Sequence, residues 1–355
     1  MRILAIESSC DETAAAVLDG AELRANVVVS QIDMFKAYGG VIPEVAARSH
    51  LEAILPVIDK ALLDAGLKTA EGKNDWEKID AVAVTHTPGL LGSLLIGTLT
   101  ARTLAILHEK PLYAVHHLKS HIYANWIGVS EAEAPEFPLV ALVVSGGHTQ
   151  IIYMPNHNQF EIIGTTLDDA VGECFDKVAK ILGLPYPGGP AIAKAAEKGD
   201  AEKYKLPHPQ IEGLDFSFSG LKTAVLRAVQ KEVGVGIDFP SHELRERLNT
   251  QQVADVAASF QKTAVEILME KVRKAVRERG EVKSVVLAGG VSANQALREA
   301  AKELEREGVR IYVPEKQYAG DNAAMVAEAA RFEIQAGVEP TDPRKLNISP
   351  RSVIY

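Results

Sequence analysis

Two histidines stand four residues apart in His117-Leu118-Lys119-Ser120-His121. On a helix that spacing puts both imidazoles on one face, at a separation that suits two ligands of one metal ion. The adjacent His116 points to a different face. A third ligand has to come from far away in the chain, and Asp321, in Ala319-Gly320-Asp321-Asn322-Ala323-Ala324-Met325, is the best candidate. It stands where a helix should start, so its competing role is to cap that helix. Zinc peptidases of the HExxH pattern carry a glutamate, the general base, directly after the first histidine. Leu118 holds that place here, which speaks against peptidase chemistry.

A second constellation suits an anion. Phe137–Pro155 reads as a β-hairpin: apolar Leu139–Val144, the turn Ser145-Gly146-Gly147-His148-Thr149, then Ile151–Tyr153. The paired glycines leave backbone N–H groups uncovered, and Ser145, His148 and Thr149 rim them, an arrangement able to hold a phosphate. A hairpin using Gly-Gly for its geometry alone would look the same. Asp168–Lys177 gathers four carboxylates and a lysine, fit for ribose hydroxyls or a hydrated cation and equally for a capped, solvated helix start. The turn Tyr186-Pro187-Gly188-Gly189-Pro190 lets a planar base or a sugar approach the backbone, or is a plain loop. Asp215–Lys222 (DFSFSGLK) offers hydroxyls and a lysine before a helix and discriminates nothing. Neither GxxxxGK followed by Ser or Thr nor GxGxxG occurs, so a bound nucleotide would be held by split hairpins and not by a P-loop or a Rossmann turn.

The elements that must position these residues repeat. Residues 2–20 follow the same hairpin plan: a strand (Arg2–Ile6), the acidic turn Glu7-Ser8-Ser9-Cys10-Asp11-Glu12-Thr13, and a strand (Ala14–Leu18). The buried-strand pattern Ile79–Thr85 runs through Pro88-Gly89-Leu90-Leu91-Gly92 into the apolar helix Ser93–Leu107. Val282–Ala288 runs likewise through Gly289-Gly290-Val291-Ser292-Ala293-Asn294 into the helix Gln295–Arg306. Both are βα units with a glycine turn at the carboxyl end of the strand, where ligands bind in open α/β sheets. Helical spacing of apolar residues predicts further helices over Pro43–Ala65, Ala191–Lys198 and Val253–Arg279. Residues 128–138 and 231–243 read as connections and the tail Thr341–Tyr355 as irregular. Each half therefore reads hairpin, helices, strand, glycine turn, helix. The expectation is a duplicated α/β fold with a cleft between its halves: an N-terminal lobe of residues 1–125, joined by 325–355, and a C-terminal lobe of residues 126–324.

With 355 residues, 47% hydrophobic and 24% charged, the chain has the composition of an ordinary soluble globular protein of roughly two domains. Its longest apolar stretch, Leu90–Leu107, is broken by Thr98, Thr100 and Arg102 and reads as a buried helix, so no membrane association is expected. Met1 leads directly into a strand, so no signal peptide is expected, and two cysteines, Cys10 and Cys174, do not suggest a disulfide framework; a reducing cytoplasm fits. A net charge of −9 argues against gripping nucleic acid with the whole surface and leaves room for a local basic patch or a partner that supplies one.

Glu7–Thr13 (ESSCDET), Gly39–Glu44 (GGVIPE), His117–His121, Ser145–Gln150 (SGGHTQ), Asp168–Lys177, Tyr186–Pro190 (YPGGP), Asp215–Lys222, Gly289–Asn294 (GGVSAN) and Asp321–Met325 (DNAAM) follow one another in this order over nearly the whole chain. In this the sequence resembles the bacterial type of the TsaD family, tRNA adenosine threonylcarbamoyltransferases once described as O-sialoglycoprotein endopeptidases. The resemblance implies a duplicated actin-like, RNase-H-type α/β fold of two lobes with the active site in the cleft. It implies transfer of threonylcarbamoyl from threonylcarbamoyl-AMP to N6 of adenosine 37 in tRNAs that read ANN codons. His117, His121 and Asp321 match the family's ligands for one divalent ion, Fe(2+) or Zn(2+). Val143, Val144, Ser145, Gly146 and Gly147, with His148 of the same turn, and Asp176, Gly189 and Asn294 match positions that hold the adenylate donor. Asp11 and Glu12 match an acidic pair needed for activity. The implied partners are tRNA, a TsaB-like paralogue and a TsaE-like ATPase. Two positions depart from the family pattern. Thr87 replaces a glycine, so a left-handed backbone there would be strained; Gly320 replaces a threonine or serine ahead of Asp321, which could loosen a hydroxyl network at the helix start. A metallopeptidase and a non-catalytic scaffold are the readings from other classes; Leu118 opposes the first and the intact His117, His121 and Asp321 set the second.

Overall fold

Runs of β-branched and small apolar residues become strands whose two faces are both covered, the pattern expected of the inner strands of an α/β sheet. In the computed structural model, which describes residues 1–351 and Ile354, β1 (Arg2–Glu7) and β2 (Glu12–Asp19) pair antiparallel around the acidic turn, and β3 (Glu22–Ser30) pairs antiparallel with β2. Ser352, Val353 and Tyr355, the end of the tail expected to be irregular, lie outside the described residues. After α1 (Ile32–Phe35) and α2 (Pro43–Asp64) the chain forms β4 (Ala81–Thr87), parallel to β1. It crosses through α3 (Leu91–Leu107) to β5 (Leu112–His116), parallel to β4, and runs on without a loop into α4 (His117–Tyr123). The sheet order is β3-β2-β1-β4-β5.

The plan then repeats. β6 (Leu139–Val144), β7 (Thr149–Met154) and β8 (Glu161–Thr165) form an antiparallel meander. Four helices follow: α5 (Val171–Ile181), α6 (Gly188–Ala196), α7 (Ser219–Glu232) and α8 (Thr250–Arg279). β9 (Ser284–Ala288) joins β6 in parallel, and α9 (Gln295–Lys302) leads to β10 (Arg310–Tyr312), parallel to β9. Read as β8-β7-β6-β9-β10, this sheet has the order of the first. The chain finishes with α10 (Lys316–Ala319) and α11 (Ala323–Gln335). Among the described residues no helix is long and apolar enough to cross a membrane.

Two compact units result: Met1–Pro135 with Asn156–Phe160 and the chain from Pro314 onward, and Glu136–Pro155 with Glu161–Val313. Residues 126–135, 156–160 and 314–324, expected from the sequence in the C-terminal lobe, lie in the first unit. The physical reason is α11: its alanine-rich face packs on β1, β2 and α4, and Asn26 Oδ1 accepts a hydrogen bond from Ala324 N at 3.2 Å. The segment leading into α11, including Asp321, therefore goes with the first sheet. The second unit has its own core, centred on Phe175, Phe216, Phe218 and Phe260.

The strain expected at Thr87 does not arise. Among the described residues the non-glycine residues with positive φ are Glu109 and Asn158. Thr87 simply ends β4, and its hydroxyl donates to Ser349 O at 2.8 Å. Ser349 N in turn donates to His86 O at 3.2 Å and Thr341 N to Leu112 O at 2.7 Å, so the irregular tail is pinned along the first sheet.

Candidate active site

α4 begins at the end of a buried strand, and His116 caps it, its Nδ1 accepting from Leu118 N at 3.2 Å. That leaves His117 and His121 on the inner face, with ring centroids 4.6 Å apart and ring planes at 78°. Asp321 arrives from the other end of the sequence. It is relieved of the capping role because the cap of α11 is Asn322, whose side chain accepts from Met325 N at 3.0 Å. Gly320 lies in extended backbone with open space around its missing Cβ. Asp321 Oδ1 stands 3.1 Å from His121 Nε2 and 3.5 Å from His117 Nε2. One ligand atom from each of the three lies within 4.8 Å of the others.

These residues fit a divalent ion. His121 is completely buried; among the described residues its Nδ1 makes no hydrogen bond, and its Nε2 faces the Asp321 carboxylate. A buried nitrogen left so is costly unless something else claims its lone pair. Two imidazoles and one carboxylate are the donor set that suits Zn(2+) or Fe(2+). The surroundings are strongly negative. Burial lowers His117, but Asp321 and Glu7 outweigh it and push the imidazole up to about 9. Burial, then the charges of Asp321 and Asp11, push Glu12 well above the usual carboxylate range; burial and Asp321 raise Asp11 as well. Carboxylates crowded until they resist ionisation make a place that welcomes a cation.

The acidic turn is itself held rigidly. The buried His50, on α2, bridges Thr13 Oγ1 at 2.8 Å and Cys10 O at 2.9 Å. A carbonyl only accepts, so Nε2 carries the proton and Nδ1 accepts from the threonine hydroxyl. Gly89, after β4, allows a close approach: a Cβ there would stand 2.5 Å from Ser9 O. Sequence reasoning missed His50, and it missed Glu7. The available signal was a carboxylate ending a strand that is otherwise apolar and buried from Ile3 onward.

In the second unit the glycine turns meet. The Ser145–His148 turn closes through Ser145 N to His148 O (2.9 Å) and His148 N to Ser145 Oγ (3.1 Å). β9 lies beside β6 in parallel, so its glycine turn comes up alongside. A Cβ on Gly289, whose φ is +85°, would stand 2.4 Å from Val144 O. α5 starts against the same turn, because a Cβ on Gly172 would stand 2.5 Å from Ser145 O. Gly146, Gly147 and Gly290 have nothing within 4 Å of a Cβ position, so their main chain is bare and approachable. Val143 and Val144 are fully buried within β6, where they pair with β7.

The other predicted positions carry structural duties that the sequence did not reveal. Asp176 Oδ1 accepts from Gly188 N at 2.7 Å, tying α5 to the turn that holds Gly189. Asn294 caps α9 through Leu297 N (3.1 Å) and donates to Gln261 Oε1 on α8 (2.8 Å). Asp168 is spent on the start of α7, accepting from Ser217 Oγ, Phe218 N and Ser219 Oγ at 2.5, 2.8 and 2.6 Å. Asp169 and Glu173 pair with Lys177 at 2.6 and 2.9 Å. Of the four carboxylates in that stretch, only Asp176 reaches the turn at Gly188 and Gly189.

The solved structure of HypF from T. kodakarensis superposes with a TM-score of 0.61 at 15% identity, over 94% of this chain and 48% of that one. Component A of (R)-2-hydroxyglutaryl-CoA dehydratase from Acidaminococcus fermentans does so with a TM-score of 0.50 at 18% identity, over 95% of this chain and 99% of that one. These likenesses establish the duplicated, two-lobed actin-like α/β fold. The family model described as "TsaD: tRNA N6-adenosine threonylcarbamoyltransferase" matches residues 22–328. Curated proteins of that name are 52% identical over 339 residues in Symbiobacterium thermophilum (95% of this chain, 92% of that protein) and 49% identical over 350 residues in Thermomicrobium roseum (95% and 93%). The chain is therefore a transferase, a member of the TsaD family of tRNA N6-adenosine threonylcarbamoyltransferases.

Proposed function

We propose that this chain transfers threonylcarbamoyl from threonylcarbamoyl-AMP to N6 of adenosine 37 in tRNAs that read ANN codons. N6 attacks the carbamoyl carbon, the bond from that carbon to the phosphate oxygen breaks, AMP leaves and N6 gives up a proton. The observation that carries the reading is the group of buried His117 and His121 with half-buried Asp321 in a chain of this family. Those three side chains would hold one divalent ion, Fe(2+) or Zn(2+). When bound, such an ion supplies Lewis acidity toward the carbamoyl oxygen and neutralises negative charge developing there. The bare main chain of Gly146, Gly147 and Gly290 cradles the phosphate. Asp176 keeps Gly189 in place for the nucleoside, and Asn294 keeps the Gly289–Asn294 turn in shape. A bound cation would favour the ionised forms of Asp11 and Glu12, and Glu12, whose burial favours the protonated form, is the group able to take up the proton that N6 loses.

The partners in this reading are tRNA, a TsaB-like paralogue and a TsaE-like ATPase. Leu51 and Leu55 on α2 and Leu91, Leu95 and Leu99 on α3 are exposed, and the two helices pack together; apolar residues of this kind are what a paralogue of the same fold would cover. The deciding experiment is nucleoside analysis of an ANN-decoding tRNA incubated with threonine, bicarbonate, ATP, the adenylate-forming synthase, the partner proteins and this chain. Threonylcarbamoyl-adenosine appearing with wild type and not with His121→Ala supports the reading. Equal product with both removes the metal group from the chemistry, and no product with wild type overturns the assignment.

A further inference from the structure

Glu7 is fully buried, and among the described residues it pairs with no lysine or arginine; its ion-pair partner is His117. A buried carboxylate is expensive unless every lone pair is engaged. Here Oε1 accepts from Ser9 N at 2.5 Å, while Oε2 accepts from Thr85 Oγ1 at 2.5 Å and lies 3.2 Å from His117 Nδ1. The fold itself does not require an acid at this place. Glu7 ends β1 and pairs with Ala14 across the hairpin; in the second copy of the fold Val144 ends β6 and pairs with Thr149 in the same way. Thr85, one residue past the last β1–β4 pair, corresponds to Gly289, one residue past the last β6–β9 pair. The copy with the histidines carries an acid and a hydroxyl where its sister carries a valine and a glycine.

We infer that Glu7, itself fixed by Thr85 and the Ser9 amide, is the positioning residue of the metal group, holding His117 with its proton on Nδ1 so that Nε2 presents a lone pair beside Asp321. The inference rests on the proposed metal site. Ser9 Oγ also lies 3.2 Å from His117 Nδ1 and by itself could donate to that nitrogen, which would favour the opposite tautomer. The carboxylate decides between the two, because it can only accept. It also supplies the second negative charge, so that Asp321 and Glu7 together balance a divalent ion. Partners of this kind fix ring orientation, and their loss typically weakens metal affinity about 10–100-fold.

The test is a titration of chelator-stripped protein with Zn(2+) and with Co(2+) as an absorbing probe, for wild type, His121→Ala, Glu7→Gln and Thr85→Val, alongside thermal melts. Wild type is expected to bind one equivalent and His121→Ala to lose it. Glu7→Gln is expected to bind about 10–100-fold more weakly with an altered Co(2+) spectrum, and Thr85→Val to shift the same way by less. Nitrogen-15 NMR of the stripped wild-type histidines should find the neutral form of His117 protonated at Nδ1. If wild type and His121→Ala bind alike, the metal site itself is refuted. If His121→Ala loses the ion while Glu7→Gln keeps wild-type affinity and spectrum, the site stands and the role of Glu7 is refuted. If Glu7→Gln does not fold, Thr85→Val decides, and unchanged affinity there counts against the inference.

Discussion

Alanine at Gly289 should damage the second unit, whereas alanine at the adjoining Gly290 should leave it intact. Gly289 has φ +85°, and a Cβ there would stand 2.4 Å from Val144 O and 2.9 Å from Val144 C. Placing an L-residue in the left-handed region costs about 1–2 kcal/mol. The overlap is with main chain at the middle of a sheet, so no rotamer relieves it, and overpacking of that kind adds about 1–3 kcal/mol. The two together predict a loss of about 2–5 kcal/mol for Gly289→Ala. A Cβ on Gly290 meets nothing within 4 Å, so Gly290→Ala should stay within about 0.5 kcal/mol of wild type. Both tryptophans, Trp76 and Trp126, lie in the first unit, so urea unfolding followed by tryptophan fluorescence reports that unit while far-ultraviolet circular dichroism follows both. Gly289→Ala should lower the dichroism midpoint and leave the fluorescence midpoint near wild type. Titration with AMP should show the complementary pattern for Gly290→Ala, a normal midpoint with weakened binding, because the new methyl enters the proposed phosphate cradle. Equal midpoints for the two variants would refute the account of the turn.

Three further outcomes follow from individual contacts. Asn322→Ala removes the cap of α11 and should cost about 1 kcal/mol; because Asp321 is its neighbour, the variant should also bind Zn(2+) more weakly, as read by calorimetric titration. Thr87→Gly removes the hydroxyl that holds Ser349 O and should cost about 1 kcal/mol, with faster proteolysis of the chain after residue 340 as the second readout. Burial, aided by Arg331, lowers His157 to about 4 while it stacks on Phe332 at 4.1 Å. The unfolded chain therefore binds the extra proton first, so His157 costs no stability above pH 6.5 and progressively more as the pH falls from 6.5 toward 4. Allowing for its partial exposure, His157→Phe should spare the protein about 1 kcal/mol of the acid destabilisation between pH 7.5 and pH 5, measured by denaturant unfolding at the two pH values.

The sequence displayed the strands and helices whose apolar residues follow a period. Arg2–Ile6, Leu139–Val144 and Val282–Ala288 were legible because inner strands are apolar on both faces, and Val253–Arg279 because it is long. β3 and β8 were not: as outer strands they carry exposed and half-buried residues with no clean alternation, and only pairing with β2 and β7 makes them strands. Spacing and resemblance singled out His117, His121 and Asp321 as candidate ligands, but not that all three belong to one unit, because Asp321 comes soon after β10 and α10 in sequence and only the packing of α11 assigns it to the first sheet. Asp168 shows the opposite limit. Its acidic neighbourhood suggested a ligand site, whereas the structure commits it to capping α7, and composition cannot separate the two when both need a carboxylate near N–H donors.

The duplication would let one architecture supply the two kinds of chemistry proposed. In each copy a hairpin turn and the turn after a parallel strand come together at one sheet edge, and in each a glycine permits the contact: Gly89 against Ser9 O, Gly289 against Val144 O. What differs is what the hairpin turn carries. In the first copy Glu7, Asp11 and Glu12 make the edge acidic, and α4, entered straight from β5, adds two imidazoles. In the second copy the hairpin turn carries Gly146 and Gly147 in place of acids, and β10 is followed by no histidine helix. The first edge is electrostatically fit for a cation and unfit for a phosphate, and the second is the reverse. Exchanging the characters should then fail in a specific way: Gly146→Asp should abolish AMP binding through like-charge repulsion while leaving Zn(2+) affinity at wild-type level. Loss of both functions together would mean that the edges are not separable and that the division of labour read from the two sheets is wrong.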